Sequence, residues 1–91
     1  MSLKLTIPTA LRKLTGGADA VEVEPGTVLE IIAQLDQTYS GFRARVCEDD
    51  EKLRRFINVY VDGEDIRFLE NLSTEVRDGA DLSIVLAIAG G

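Results

Sequence analysis

A chain of 91 residues suits one compact domain over 1–91 and has too little surface to wall off a deep, enclosed active site. Hydrophobic residues at 45% and charged residues at 29% fit a folded protein rather than a disordered one. Ten Lys and Arg against sixteen Asp and Glu give a formal net charge of −6, which repels phosphate backbones and argues against nucleic acid as a partner.

Leu3, Leu5 and Ile7 alternate with Ser2, Lys4 and Thr6, the period of a half-buried strand, and Pro8 stops it. Gly16-Gly17 supplies a turn. Val21 and Val23 alternate with Glu22 and Glu24 as a second strand, expected to pair with the first across a long loop. Pro25-Gly26 breaks the chain before the one strong helix. Thr27 and Glu30 fit a capping box, and Val28, Ile31, Ile32, Leu35 and Tyr39 follow as one apolar stripe. Gly41 is placed to end that helix in a left-handed conformation.

Residues 42–55 carry a weaker signal. Phe42 and Val46 indicate a short amphipathic turn, and Glu48 to Lys52 reads as an exposed loop. Arg43, Arg45, Arg54 and Arg55 flank the run Glu48, Asp49, Asp50 and Glu51, so this segment is read as a solvated mixed face. Phe56 to Val61 is a β-rich run, and Asp62-Gly63 is a hairpin turn leading into Ile66. Asp78-Gly79 marks another turn. Leu82 to Ile88 is the most hydrophobic segment, expected as a central strand covered on both sides or carrying a partner-facing patch. One striped helix laid across a mixed sheet is the simplest packing.

The chain is poorly equipped as an enzyme. It contains no His, the commonest general base and neutral metal ligand. The lone Cys47 has no evident activating neighbour and is read as a buried thiol. One Cys without His nearly excludes a zinc site, and Asp49-Asp50-Glu51 lacks calcium-loop spacing. No catalytic and no metal-binding residues are therefore assigned. A single cysteine fits a reducing compartment, nothing at the N-terminus resembles a signal peptide, and the run Ile84 to Ala89 is far shorter than a membrane span. A cytoplasmic address with no membrane partner is the expectation.

The unusual feature is Gly90-Gly91, directly after the most hydrophobic strand. A carboxylate is a poor electrophile until it becomes an acyl-adenylate, which a sulfur donor can attack with loss of AMP. Glycines lack Cβ, so such a tail can thread a narrow channel.

Taken together, the motifs resemble the ubiquitin-like sulfur carriers of the ThiS/MoaD family, most closely its CysO-type branch. The residues carrying the likeness are Ile7-Pro8-Thr9 with Leu11-Arg12, Thr15-Gly16-Gly17, and Tyr39-Ser40-Gly41. Phe56 to Val61 followed by Asp62-Gly63-Glu64-Asp65-Ile66-Arg67-Phe68 is the most specific stretch, and Asp78-Gly79 and Ala89-Gly90-Gly91 complete it. The resemblance implies an α+β, β-grasp (ubiquitin-like) fold: a mixed sheet of four to five strands on one main helix, with a flexible Gly-Gly tail. It implies that an E1-like adenylyltransferase activates Gly91 with ATP and Mg²⁺, which the partner uses and this chain does not bind. Sulfur then enters as a thiocarboxylate, with Gly90 and Ala89 giving access. In the CysO-type branch a PLP-dependent cysteine synthase takes the sulfur, and a JAMM-type zinc metalloprotease regenerates the tail. Many relatives carry Pro shortly before the two glycines, where this chain has Leu86-Ala87-Ile88-Ala89, leaving φ less restricted. Strand alternation puts Leu82, Ile84, Leu86 and Ile88 on one face and Val85 and Ala87 on the other. Ile88, Leu86, Phe56 and Tyr60 are the expected partner-docking residues. Within the family, a molybdopterin-synthase small subunit or a thiamin-thiazole carrier would share the chemistry at Gly91. A ubiquitin-like modifier joined to lysines is the alternative of another class, and a plain interaction domain a third.

Overall fold

The computed structural model describes residues 2–49 and 52–86. Strands run β1 (Leu3–Thr6), β2 (Ala20–Val23), β3 (Gly26–Thr27), β4 (Cys47–Asp49), β5 (Lys52–Leu53), β6 (Ile57–Val61), β7 (Glu64–Asp65), β8 (Glu75–Val76) and β9 (Asp81–Leu86). Helix α1 spans Val28–Thr38 and α2 spans Phe42–Val46, with 3-10 turns at Thr9–Thr15, Ile66–Phe68 and Asn71–Ser73. The main sheet has five strands in the order β2-β1-β9-β6-β7. Only β1 and β9 are parallel; the neighbouring pairs are antiparallel.

The last strand thus sits at the centre of the sheet, flanked by the first strand and β6. Leu3, Leu5, Ile57, Val59, Leu82 and Ile84 point to one face and are buried against Val28, Ile31, Ile32 and Leu35 of α1. This is the α1 stripe expected from spacing, with Tyr39 half-buried at its end. The capping box is present: Thr27 Oγ1 accepts from Glu30 N at 3.1 Å, and Glu30 Oε1 accepts from Thr27 N at 2.8 Å. A Cβ on Gly26 would come within 2.8 Å of that Glu30 oxygen, so the box needs the glycine.

Asp62 and Gly63, at φ 51° and 85°, form the two-residue loop joining β6 to β7, as an Asp-Gly turn should.

Three local expectations change. Helix α1 ends at Thr38, and left-handed Gly41 (φ 92°) instead opens α2, where Asp36 Oδ1 accepts from the Gly41 and Arg43 amides. The stretch read as a loop from Glu48 to Lys52 contributes to a small hairpin, with Cys47 opposite Leu53 and Asp49 opposite Lys52. Its inward residues, Cys47 and Leu53, are buried, so two core contacts organise an otherwise charged segment. The long β1–β2 connection is a 3-10 turn anchored by buried Leu11 and Thr15.

Candidate functional site

Strand β9 places the last described residue beside the start of β6. Leu86, its last residue, lies opposite Ile57, the first residue of β6. The turn leading into β6 is pinned: Ile57 N donates to Arg54 O, Arg54 N to Val46 O, and Arg54 Nε to Ala44 O, at 2.9–3.0 Å. Beyond β6, Arg67 reaches back and donates from Nη2 to Ile57 O at 2.8 Å and from Nη1 to Asn58 Oδ1. Its backbone amide bonds Asp65 Oδ1 at 2.9 Å. Arg67 thereby occupies the edge of β6 that the two-residue β7 leaves uncovered. At the same end of β1, Arg12 Nε donates to Ile7 O at 3.1 Å.

Arg12, Arg54, Arg55 and Arg67 therefore collect at the end of the sheet where β9 finishes. Asp62, Asp78 and Asp81 collect at the opposite end, tied by Asp81 N to Asp62 Oδ1 and Ser2 N to Asp78 Oδ1. A net charge of −6 conceals this polarity. An open cleft of about 560 Å³ beside the exit is lined by Lys52, Leu53, Arg55, Arg67, Asn71 and Glu48, among others.

The outer sheet face is distinct from the core. Cross-strand partners share a face, so Asn58 with Val85, and Tyr60 with Ser83 and Thr6, form one surface. Val85 is 42% exposed and Phe56, just before β6, is 51% exposed. Tyr60 is half-buried. Phe56, next to Ile57, lies by the end of β9, whereas Tyr60 lies opposite Ser83, three residues before Leu86. Leu86 instead continues the Leu82–Ile84 face and packs against the core. Val85 supplies exposed apolar surface where the sequence reading favoured Leu86. Its alternation against Ile84 was the available signal. Ile88, Ala89, Gly90 and Gly91 lie outside the described residues. Cys47 is buried, as expected. Among the described residues, no group of three His, Cys, Asp or Glu could hold a metal, and no helix is long and apolar enough to cross a membrane.

The ThiS family matches residues 5–91, nearly the whole chain. This chain belongs to the ThiS family. The sulfur carrier protein CysO of Mycobacterium tuberculosis is 40% identical over 93 aligned positions, covering all of both chains. In the crystal structure of the Amycolatopsis orientalis BexX/CysO complex, a chain with 49% identity superposes at a TM-score of 0.90, covering 98% of this chain and 99% of that one. The small archaeal modifier protein 3 of Haloferax volcanii is 29% identical over 68 residues, covering 75% of this chain and 73% of its own length. The ubiquitin-like β-grasp fold expected from the sequence is thus the fold observed.

Proposed function

We propose that this chain is a sulfur carrier whose Gly91 carboxylate is activated and sulfurated by partner enzymes. The observation carrying this is the family match, which extends through Gly91. The sulfur-carrier name of the full-length relative supports the same role. It is a carrier and not an enzyme: the acyl carbon is its own, and the catalytic groups belong to its partners.

The chemistry has two steps. A carboxylate oxygen of Gly91 attacks the α-phosphorus of ATP, releasing pyrophosphate and leaving an acyl-adenylate. A sulfide-equivalent nucleophile then attacks the acyl carbon, AMP leaves with its bridging oxygen, and sulfur remains as a thiocarboxylate. An E1-like adenylyltransferase with Mg²⁺ is the activating partner. The acceptor is a PLP-dependent cysteine synthase, with a JAMM-type zinc metalloprotease restoring the tail, in the reducing cytoplasm. Phe56, Tyr60 and Val85 form the docking face, and Leu86 holds the base of the tail against the core. Ile88 belongs to the docking residues, and Ala89 and Gly90 enter the channel.

Intact mass after incubation with the activating enzyme, ATP, Mg²⁺ and sulfide tests the reading. The expected result is a gain of about 16 Da, the sulfur–oxygen difference, lost when Gly90-Gly91 is deleted. Absence of both this gain and an AMP adduct sinks the carrier assignment. The likeness to an archaeal modifier protein supports a second reading, in which Gly91 forms an isopeptide bond to lysine. Lysine-linked adducts with no thiocarboxylate intermediate would favour it.

A further inference from the structure

The opposite border of the sheet carries a feature independent of the tail. Among the described residues, strand β2 is an edge, bonded only to β1. Asp19 O accepts from Ile7 N at 2.8 Å, so the polar backbone atoms of Asp19 face β1. Strand alternation turns those of Val21 and Val23 the same way, and those of Ala20, Glu22 and Glu24 outward. The outward direction is visible at Glu24. There the Gln34 side-chain amide accepts from Glu24 N and donates to Glu24 O, both at 3.0 Å, as a neighbouring strand would. Gln34 closes only this last position. Ala20 and Glu22 present N–H and C=O outward with no partner among the described residues.

Beside this open edge, β2 and α1 enclose a groove of about 320 Å³ lined by Val21, Leu35, Thr38, Tyr39 and Gln34, among others. The apolar side of the groove is therefore continuous with the free backbone. Its charge has one sign. Between Lys13 and Arg43 the chain carries Asp19, Glu22, Glu24, Glu30 and Asp36 and no Lys or Arg. Glu30 and Asp36 are engaged in caps, whereas Asp19, Glu22 and Glu24 are exposed; Lys4 is the nearest cation by register, opposite Glu22 on β1.

We infer that the outer edge of β2 is a docking site for an extended partner segment whose alternate residues are apolar and basic, added to the sheet as a sixth strand. Its backbone pairs with Ala20 and Glu22. Its apolar residues enter the β2–α1 groove over Val21, Leu35 and Tyr39, and its basic residues lie beside Glu22 on the outer face. A second copy of this chain is the poorer occupant, because pairing β2 with β2 brings Glu22 residues together in a like-charge contact. The site stands whether or not the tail carries sulfur, so its test does not involve Gly91.

The test titrates the isotopically labelled full chain with a synthetic peptide of alternating valine and lysine, about six residues long, the length of an ordinary strand. The expected result is that amide exchange at Ala20 and Glu22 slows at least tenfold, with NMR shifts at Leu35 and Tyr39. N-methylation on the pairing edge of the peptide, or the Glu22→Lys change in the protein, should weaken binding about tenfold. Four outcomes overturn the inference. These are no shift at millimolar peptide, equal binding of the N-methylated peptide, shifts centred on Tyr60 and Val85, or dimers that protect Ala20 and Glu22 without peptide.

Discussion

The end of the sheet around Leu86 and the border along β2 present different kinds of surface. At the first, side chains are presented: exposed Phe56 and Val85 stand beside Asn58, Tyr60, Ser83 and Thr6, and Arg12, Arg54, Arg55 and Arg67 lie toward the same end of the sheet. At the second, the backbone of Ala20 and Glu22 is open, and the surrounding side chains are acidic. Side-chain surfaces select a partner by shape and charge, whereas a free strand edge accepts any sequence of suitable pattern. One small domain thus offers two unlike surfaces, on β9 and at β2, about two strand spacings apart, roughly 10 Å.

The largest expected effect comes from breaking the apolar face. Val85→Lys puts a charge on the proposed docking face. The KM for adenylation should rise about 30-fold, or roughly 2 kcal/mol. Val85→Thr keeps the β-branched shape and should lose far less. If Lys and Thr behave alike while circular dichroism stays native, the outer face is not the docking surface.

The arginines sharpen the comparison through rate. Gly91 lies five residues past Leu86, a span of at most about 17 Å if extended. Arginines at the base of a threaded tail therefore meet the channel rim rather than the nucleotide, and their contribution is to steer encounter. Arg55→Glu should slow association with the activating enzyme about tenfold at low salt. The difference should shrink as ionic strength rises. A tenfold loss that persists in high salt would mean a desolvated contact instead of steering.

Much of this was legible in the sequence, for reasons that differ by element. The capping box, the α1 stripe and the Asp62-Gly63 turn are local devices, each specified within a few residues. The β4–β5 hairpin was not legible, because two buried residues, Cys47 and Leu53, organise it among exposed charges and no period emerges. Along the sequence, Arg43, Arg45, Arg54 and Arg55 stand beside the acidic run Glu48 to Glu51 and read as a mixed face. Arg12 joins Arg54 and Arg55 only once the parallel β1–β9 pairing aligns those strand ends, and Arg67 only once it folds back onto Ile57 of β6. The open edge of β2 could not be read from alternation at all. Whether a strand is an edge is a property of sheet order, which the sequence of β2 does not encode.

The smallest effect concerns that edge. Gln34 imitates a strand at Glu24 and nowhere else, so it fixes how far the open edge extends. Gln34→Ala removes two hydrogen bonds to an exposed backbone, and water replaces them, so the stability cost should be about 1 kcal/mol. Exchange of the Glu24 amide should accelerate, while the tail chemistry stays unchanged. The same variant lengthens the outward run to Ala20, Glu22 and Glu24, so the alternating peptide should bind at least as tightly as before, because the new pair is offered in register. Weaker binding would mean that Gln34 holds the incoming strand rather than limiting it, and the two borders would then differ less than their backbone geometry indicates.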